Sequence, residues 1–295
     1  MKRSGWAEEV GLRARRFSSK QDIERHIANG FGAGVGVGYM PWLRVQDVPS
    51  TGRSWKIQGV KVERMHHLLS DLERAYLLVL EFSENVVDIR EQYPLLPFES
   101  PQAIARAIGV RYPRYMKTNV PLVMTTDFLL TVKQPNGDLK SIARTIKYQK
   151  DLLGEDALRT LQKLEVERRF WMSQGVDWSI VTEEDFTPDL IKNLGLLRRY
   201  AQLPRALMNS SLHSEFLELL ESSKPYAWAT TAECLRKISK RLSIPYAEAR
   251  DIFFNLIWRK FIRLDLFNVP LHLTSPLPDF HIVYPSELSS LRERS

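Results

Sequence analysis

The stretch Thr125-Thr126-Asp127-Phe128-Leu129-Leu130-Thr131-Val132-Lys133-Gln134-Pro135-Asn136-Gly137-Asp138-Leu139-Lys140-Ser141-Ile142-Ala143-Arg144-Thr145-Ile146-Lys147-Tyr148 decides the fold of the first half of the chain. The apolar run Phe128–Val132 reads as a buried strand, and Asn136-Gly137 supplies the positive φ angles that a tight hairpin turn requires. Ser141–Tyr148 is the return strand. The hairpin brings Asp127 and Lys147 near the same end of adjacent strands, although 20 positions separate them.

Upstream, a helix is predicted from about Ser70 to Phe82, with Ser70 as its cap and Glu73 as a capping-box partner. Leu72, Tyr76, Val79 and Leu80 recur at helical spacing and are expected to face the core. Ser54–Val60, Val86–Ile89 and Gln92–Leu95 read as short extended pieces, and Ala103–Gly109 as a short helix. Downstream, a helix from about Glu155 to Gln174, with apolar Leu158, Leu161, Leu164 and Val166, leads to a strand at Trp178–Val181. Together these make an α/β arrangement, with a boundary at Thr187-Pro188.

The remaining third is mostly helical, with candidates at Leu190–Leu197, Pro204–Met208 and Leu212–Leu220. Thr230–Leu242 and Tyr246–Lys260 are stronger and are separated by Ser243-Ile244-Pro245, which fits a helix-turn-helix. Phe261–Leu266 and Leu271–Leu273 are candidate strands of a wing, and the tail beyond Pro276 reads as an extension or partner-binding arm. The expected domains are therefore residues 1–187 and 188–295.

Composition bounds the function. The 295 residues carry 42 Lys+Arg against 35 Asp+Glu, a net charge of +7, with a 44% hydrophobic fraction that excludes global disorder. One cysteine, Cys234, excludes an internal disulfide framework and a cysteine-built zinc site; core packing is its default role. No apolar run reaches the roughly 20 residues that span a bilayer. No apolar signal-peptide core follows the charged N-terminus, so a cytoplasmic protein with no membrane partner is expected. Basic charge gathers in residues 1–20 and again in 236–263, the electrostatic footprint of nucleic-acid binding; a solvated helix face is the alternative for the second cluster. The alternating Gly30, Gly32, Gly34, Gly36 and Gly38 lack a following Gly-Lys-Ser/Thr, so close backbone approach or a mobile loop is the better reading than phosphate binding.

Glu73, Asp127 and Lys147 are the candidate chemistry. Two carboxylates offer hard oxygen ligands to magnesium or manganese, and a lysine beside them can stabilise a phosphoryl transition state or position and deprotonate water. Spacing alone leaves structural ion pairing open.

Context adds to this. His67-Leu68-Leu69-Ser70-Asp71-Leu72-Glu73-Arg74 followed by Asp88-Ile89-Arg90-Glu91-Gln92-Tyr93-Pro94 resembles the TnsA family, endonuclease subunits of heteromeric bacterial transposases. The resemblance extends through Gly36-Val37-Gly38-Tyr39-Met40-Pro41-Trp42, Thr125-Thr126-Asp127-Phe128, Leu164-Glu165-Val166-Glu167-Arg168-Arg169-Phe170-Trp171 and Trp178-Ser179-Ile180-Val181-Thr182, covering most of residues 30–200. It implies a restriction-endonuclease-like catalytic domain followed by a winged-helix-like domain. Metal-binding carboxylates then map to Glu73 and Asp127 and the active-site lysine to Lys147, with magnesium the implied ion and manganese a substitute. The family usually has glutamine where this chain has Thr145, whose oxygen has shorter reach. The implied activity is cleavage of the 5′ strands at double-stranded transposon-end DNA. The implied partners are a strand-transfer transposase subunit and an ATP-using transposition regulator. The alternatives are a catalytically impaired DNA-binding or assembly subunit, and an unrelated α/β interaction protein.

Supporting candidates are Gln92, which could organise the site or merely pack, and Lys150, a possible phosphate contact. His66 and His67 read as surface or supporting groups, and Glu165 and Glu167 as solvated acids of an amphipathic helix, with a hydrogen bond from one of them to the lysine or a metal-bound water the alternative. Trp171, Trp178 and Trp228 read as packing anchors. Arg250, Arg259, Lys260 and Arg263 are candidate DNA or partner contacts. The apolar Ile252–Trp258 segment argues against sequence-specific readout by its helix.

Overall fold

The computed structural model describes residues 17, 19–47, 52–115, 118–154, 157–223 and 229–284. Trp228 and the basic residues before Phe17 lie outside them. The chain divides into two compact units, one ending at Asp185 and the other beginning at Phe186.

In the first unit, α1 (Lys20–Ala28) starts at Ser19, which exchanges hydrogen bonds with Asp22 in a capping box. β1 (Trp55–Gln58) and β2 (Met65–Leu68) form an antiparallel hairpin. α2 (Asp71–Phe82) follows, capped by the Ser70 hydroxyl accepting from Glu73 N. The inferred capping box is only half present, because the Glu73 carboxylate accepts from Leu69 N at 2.9 Å. Leu72 and Leu80 are buried as expected, but Leu77 and Leu78 are buried in place of the half-exposed Tyr76 and Val79.

The two extended pieces expected at 86–89 and 92–95 are one strand, β3 (Val86–Pro94), interrupted by a register shift between Val86 and Asp88 and by Gln92 at φ 50°. α3 (Glu99–Ala107) precedes β4 (Thr125–Lys133) and β5 (Leu139–Ile146), which form the hairpin read from the sequence. α4 (Ala157–Ser173) then crosses to β6 (Asp177–Val181), parallel to β5. The sheet order is β3-β4-β5-β6.

β4 reads as a near-continuous apolar run because helices pack on both faces of the sheet. Phe128 meets Tyr76 of α2 edge-on, with centroids 5.6 Å apart. Leu129 joins Ala105, Ala143, Val166, Phe170 and Trp171 in a core cluster with α3 and α4. Of the apolar positions of α4, Leu164 and Val166 are buried, whereas Leu158 and Leu161 are exposed.

In the second unit, α5 (Pro188–Leu197) is capped by Thr187 with proline in its first turn. The helix expected at 204–208 is a single 3-10 turn, Arg205–Leu207. α6 (Ser210–Glu221), α7 (Thr231–Leu242) and α8 (Tyr246–Trp258) follow, with Ser243 in the left-handed region at the turn between the last two. β7 (Ile262–Leu264) pairs with β8 (Phe280–Ile282), so the second strand of this ribbon lies in the tail and not at 271–273. Leu271 N instead binds Asn193 Oδ1, while Asn193 Nδ2 donates to the Leu266 and Val269 carbonyls. That buried side chain holds residues 266–271 as a loop, which no hydrophobic period could announce.

Candidate active site

The cluster is assembled by hydrogen bonds that fix each acidic group from behind. Asp127 sits near the start of β4, where its Oδ2 accepts from Ile146 N at 2.7 Å and from Lys147 Nζ at 3.2 Å. Lys147 follows directly after β5. Its amide donates to Val181 O and its ammonium to Ile146 O at 2.7 Å. Burial pulls the Lys147 pKa down, but Asp127, Glu167 and Glu73 outweigh it and raise the pKa above its ordinary value. The lysine is therefore held as an ammonium ion.

Glu73 is buried in the first turn of α2. One carboxylate oxygen accepts from Leu69 N and from Gln92 Nε2 at 3.2 Å, the other from Ser70 Oγ at 3.0 Å. Burial and the negative charge of Asp127 push its pKa up to about 8. Gln92 thus joins Glu73 to β3, and its left-handed backbone is the irregularity that turns the side chain toward α2. The side chain is both buried and hydrogen-bonded to Glu73.

Two groups behind the cluster escaped the sequence reading. Glu167 of α4 is buried, not solvated, and accepts hydrogen bonds from Thr126 Oγ1 (2.6 Å), Thr145 Oγ1 and Trp178 Nε1 (3.1 Å). Burial raises it to about 7 against the Thr126 and Thr145 hydrogen bonds, with the charge of Asp127 adding to the rise. The Thr145 hydroxyl thus donates to Glu167 and accepts from Trp178. Trp171 donates to Thr126, so both tryptophans combine packing with a polar tie. Glu165, by contrast, lies on the outer part of α4 and pairs with Arg168 and Arg169.

The other missed group is a buried ionic core between β2 and β3. Glu91 receives both terminal nitrogens of Arg64 (2.8 and 2.6 Å), His66 Nδ1 (2.9 Å) and His67 N (3.0 Å). Burial alone would raise Glu91, yet the hydrogen bonds from Arg64 and His66 hold it at about 2. His66 and His67 are therefore buried structural groups and not surface ones. The ionic core ties β2, which leads into Leu69, Ser70 and Glu73, to the strand that carries Gln92. Its sequence signal is weak, because Arg64 and Glu91 are 27 positions apart.

The glycine-rich segment supports the same strand. Gly32 has φ +78°, and an added Cβ would lie 2.3 Å from Pro94 Cγ. Tyr39 Oη donates to Glu91 O, and Trp42 N donates to Gln92 O. Close backbone approach, not phosphate binding, explains the glycine there.

Lys150 is exposed on the 3-10 turn Gln149–Leu152, its ammonium 5.3 Å from the Tyr148 ring centroid, and makes no hydrogen bond to the cluster. In the second unit Arg250 pairs with Asp251 and lies over the Tyr200 ring. Arg259 lies over Phe261, Lys260 has a φ of 64°, and Arg263 is exposed on β7.

Among the described residues no group of three or more His, Cys, Asp or Glu side chains is arranged to hold a metal ion. The donor set is two hard carboxylates whose mutual repulsion already raises Glu73. That chemistry fits one divalent cation whose remaining ligands come from backbone, water and phosphate.

Residues 83–183 match the family model described as TnsA-like endonuclease N terminal, a span that includes Asp127, Thr145, Lys147 and Glu167. The Transposon Tn7 transposition protein TnsA of Escherichia coli is 44% identical over 176 residues, which cover 60% of this chain and 62% of that protein. The aligned region thus spans less than two thirds of the relative's length. Both matches agree with the resemblance drawn from the ordered motifs. No helix among the described residues is long and apolar enough to cross a membrane.

Proposed function

We propose that the first unit is a divalent-metal-dependent DNA endonuclease that cleaves the 5′ strands at transposon ends as one subunit of a heteromeric transposase. The observation that carries this is the convergence of Asp127, Lys147 and Glu73, each held by its own backbone hydrogen bonds, in a chain with a TnsA-like endonuclease region. Glu73 and Asp127 would hold the cation, magnesium in the cell or manganese in its place. When bound, such an ion polarises a phosphodiester and lowers the pKa of a coordinated water.

The remaining chemistry belongs to the side chains. Without the cation Lys147 is held as an ammonium ion, a charge suited to stabilising developing negative charge on the phosphate. Gln92 orients the Glu73 carboxylate by donating from β3. Thr145 does not act as a short glutamine reaching the ion. Its hydroxyl belongs to the Glu167 network, which braces the end of β5 before Lys147.

The second unit, with α7, a left-handed turn, α8 and the β7–β8 ribbon, is read as winged-helix-like. Its partners would be a strand-transfer transposase subunit and an ATP-using regulator, with double-stranded transposon-end DNA as substrate. The test is strand cleavage by the assembled complex in magnesium. Asp127→Ala is expected to abolish 5′-strand cleavage while assembly persists; retained cleavage overturns the assignment.

A further inference from the structure

A helix-turn-helix normally reads DNA through its second helix, which must offer an exposed polar face to the major groove. Here the C-terminal half of the second helix is closed to that use. Ile252, Phe253, Phe254, Asn255, Leu256 and Ile257 are buried in succession, all round α8. Asn255 is held to the Tyr200 and Ala201 carbonyls, and Arg250 is held by Asp251. Of the candidate contacts read from the sequence, Arg250 is the one on this helix, and its charge is shared with Asp251.

Exposed positive charge is gathered on one face of the first helix. α7 buries Ala232, Cys234, Leu235, Ile238 and Ser239 along one side. Arg236, Lys237, Lys240 and Arg241 are all exposed on the other. The pairs 236/237 and 240/241 are one turn apart, about 6 Å along the axis. Glu233 is the acid of this helix, leaving it at +3, and its carboxylate is engaged with Thr230 at the N-cap. Lys240 and Arg241 suit the negative end of the helix dipole, but Arg236 and Lys237 lie too far from the terminus for that explanation.

We propose that this face of α7 is a duplex-DNA docking surface that grips backbone phosphates without reading sequence. Two cations per turn on one face, with an apolar opposite side fixed in the core, suit a run of phosphates. Arg236 lies over the Tyr246 ring, 5.4 Å from its centroid, and the four side chains remain exposed. The inference deepens the DNA-directed reading above and takes from it the choice of polyanion; it does not depend on the metal site being competent.

The test is fluorescence anisotropy of the full chain on a labelled duplex of arbitrary sequence, in EDTA, over a series of salt concentrations. Each neutralised phosphate contributes about 0.9 to the slope of log K against log salt. The variant R236A/K237A/K240A/R241A should bind more weakly, with a slope smaller by up to about 3.6. K192A/R205A, which removes exposed charge elsewhere in the same unit, should change the slope far less. Circular dichroism and thermal melting establish that both variants fold. Unchanged affinity and slope in the α7 variant overturn the proposal, as does an equal loss per charge in the control. Normal DNA binding with failure to enter the transposase complex also overturns it, assigning the face to a protein partner. Because no metal is present, failure of this test is separate from failure of cleavage, which Asp127→Ala reports.

Discussion

Replacing Glu73 by glutamine should flatten the dependence of stability on pH in the metal-free protein. Glu73 ionises near 4.5 when unfolded and at about 8 in the folded state. Between those values the folded protein holds the extra proton, so stability falls as pH rises, by about 1.4 kcal/mol per unit, and the loss is complete above 8. From pH 6.5 to 9 this amounts to about 2 kcal/mol for Glu73. Glu167, raised to about 7, adds a smaller loss of the same sign that is common to both proteins. Glu91 contributes stability that is already complete above its unfolded value of 4.5, and Lys147 keeps its proton through this range. His67, lowered from 6.5, changes stability mainly below the window. The assay is urea unfolding in EDTA at pH 6.5 and 9 for the wild type and Glu73→Gln. Wild type should lose about 2 kcal/mol more than the variant across the interval. Parallel losses would refute the reasoning, because they would mean that burial and Asp127 do not outweigh the hydrogen bonds and the Lys147 charge that favour the ionised Glu73.

Two further substitutions probe the groups behind the site. Arg64→Met leaves Glu91 buried without its cation and should cost about 3–5 kcal/mol in urea unfolding. A cost under 1 kcal/mol would show that the ionic core does not hold β2 to β3. Thr145→Val keeps the branched shape but deletes the hydroxyl that donates to Glu167. It should lower stability by about 1 kcal/mol and raise the Glu167 pKa further, as read by carboxyl NMR, with Thr145→Ser close to wild type.

The central hairpin was legible because Asn136-Gly137 fixes the turn and Phe128–Val132 fixes the strand, which together bring Asp127 to Lys147. The capping serine before α2 was legible for the same local reason. What was not legible depends on distant partners. Glu165 and Glu167 look alike on a helix, yet one is half-buried beside two arginines and the other buried under Thr126, Thr145 and Trp178. The His66-His67 pair looks polar until Glu91, 25 positions from His66, closes on it. Similarly, the partner of β7 lies at 280–282, beyond the nearer apolar residues that Asn193 ties into a loop.

The central claim is that Glu73 and Asp127 together hold a divalent cation, with Lys147 facing the same phosphate site. It is tested most directly by anomalous scattering from a crystal soaked in millimolar manganese, with a short duplex bound. One strong peak beside the Glu73 and Asp127 carboxylates, lost in Asp127→Ala, is the expected result. A site empty of manganese with DNA in place, or a peak held by other residues, would contradict it.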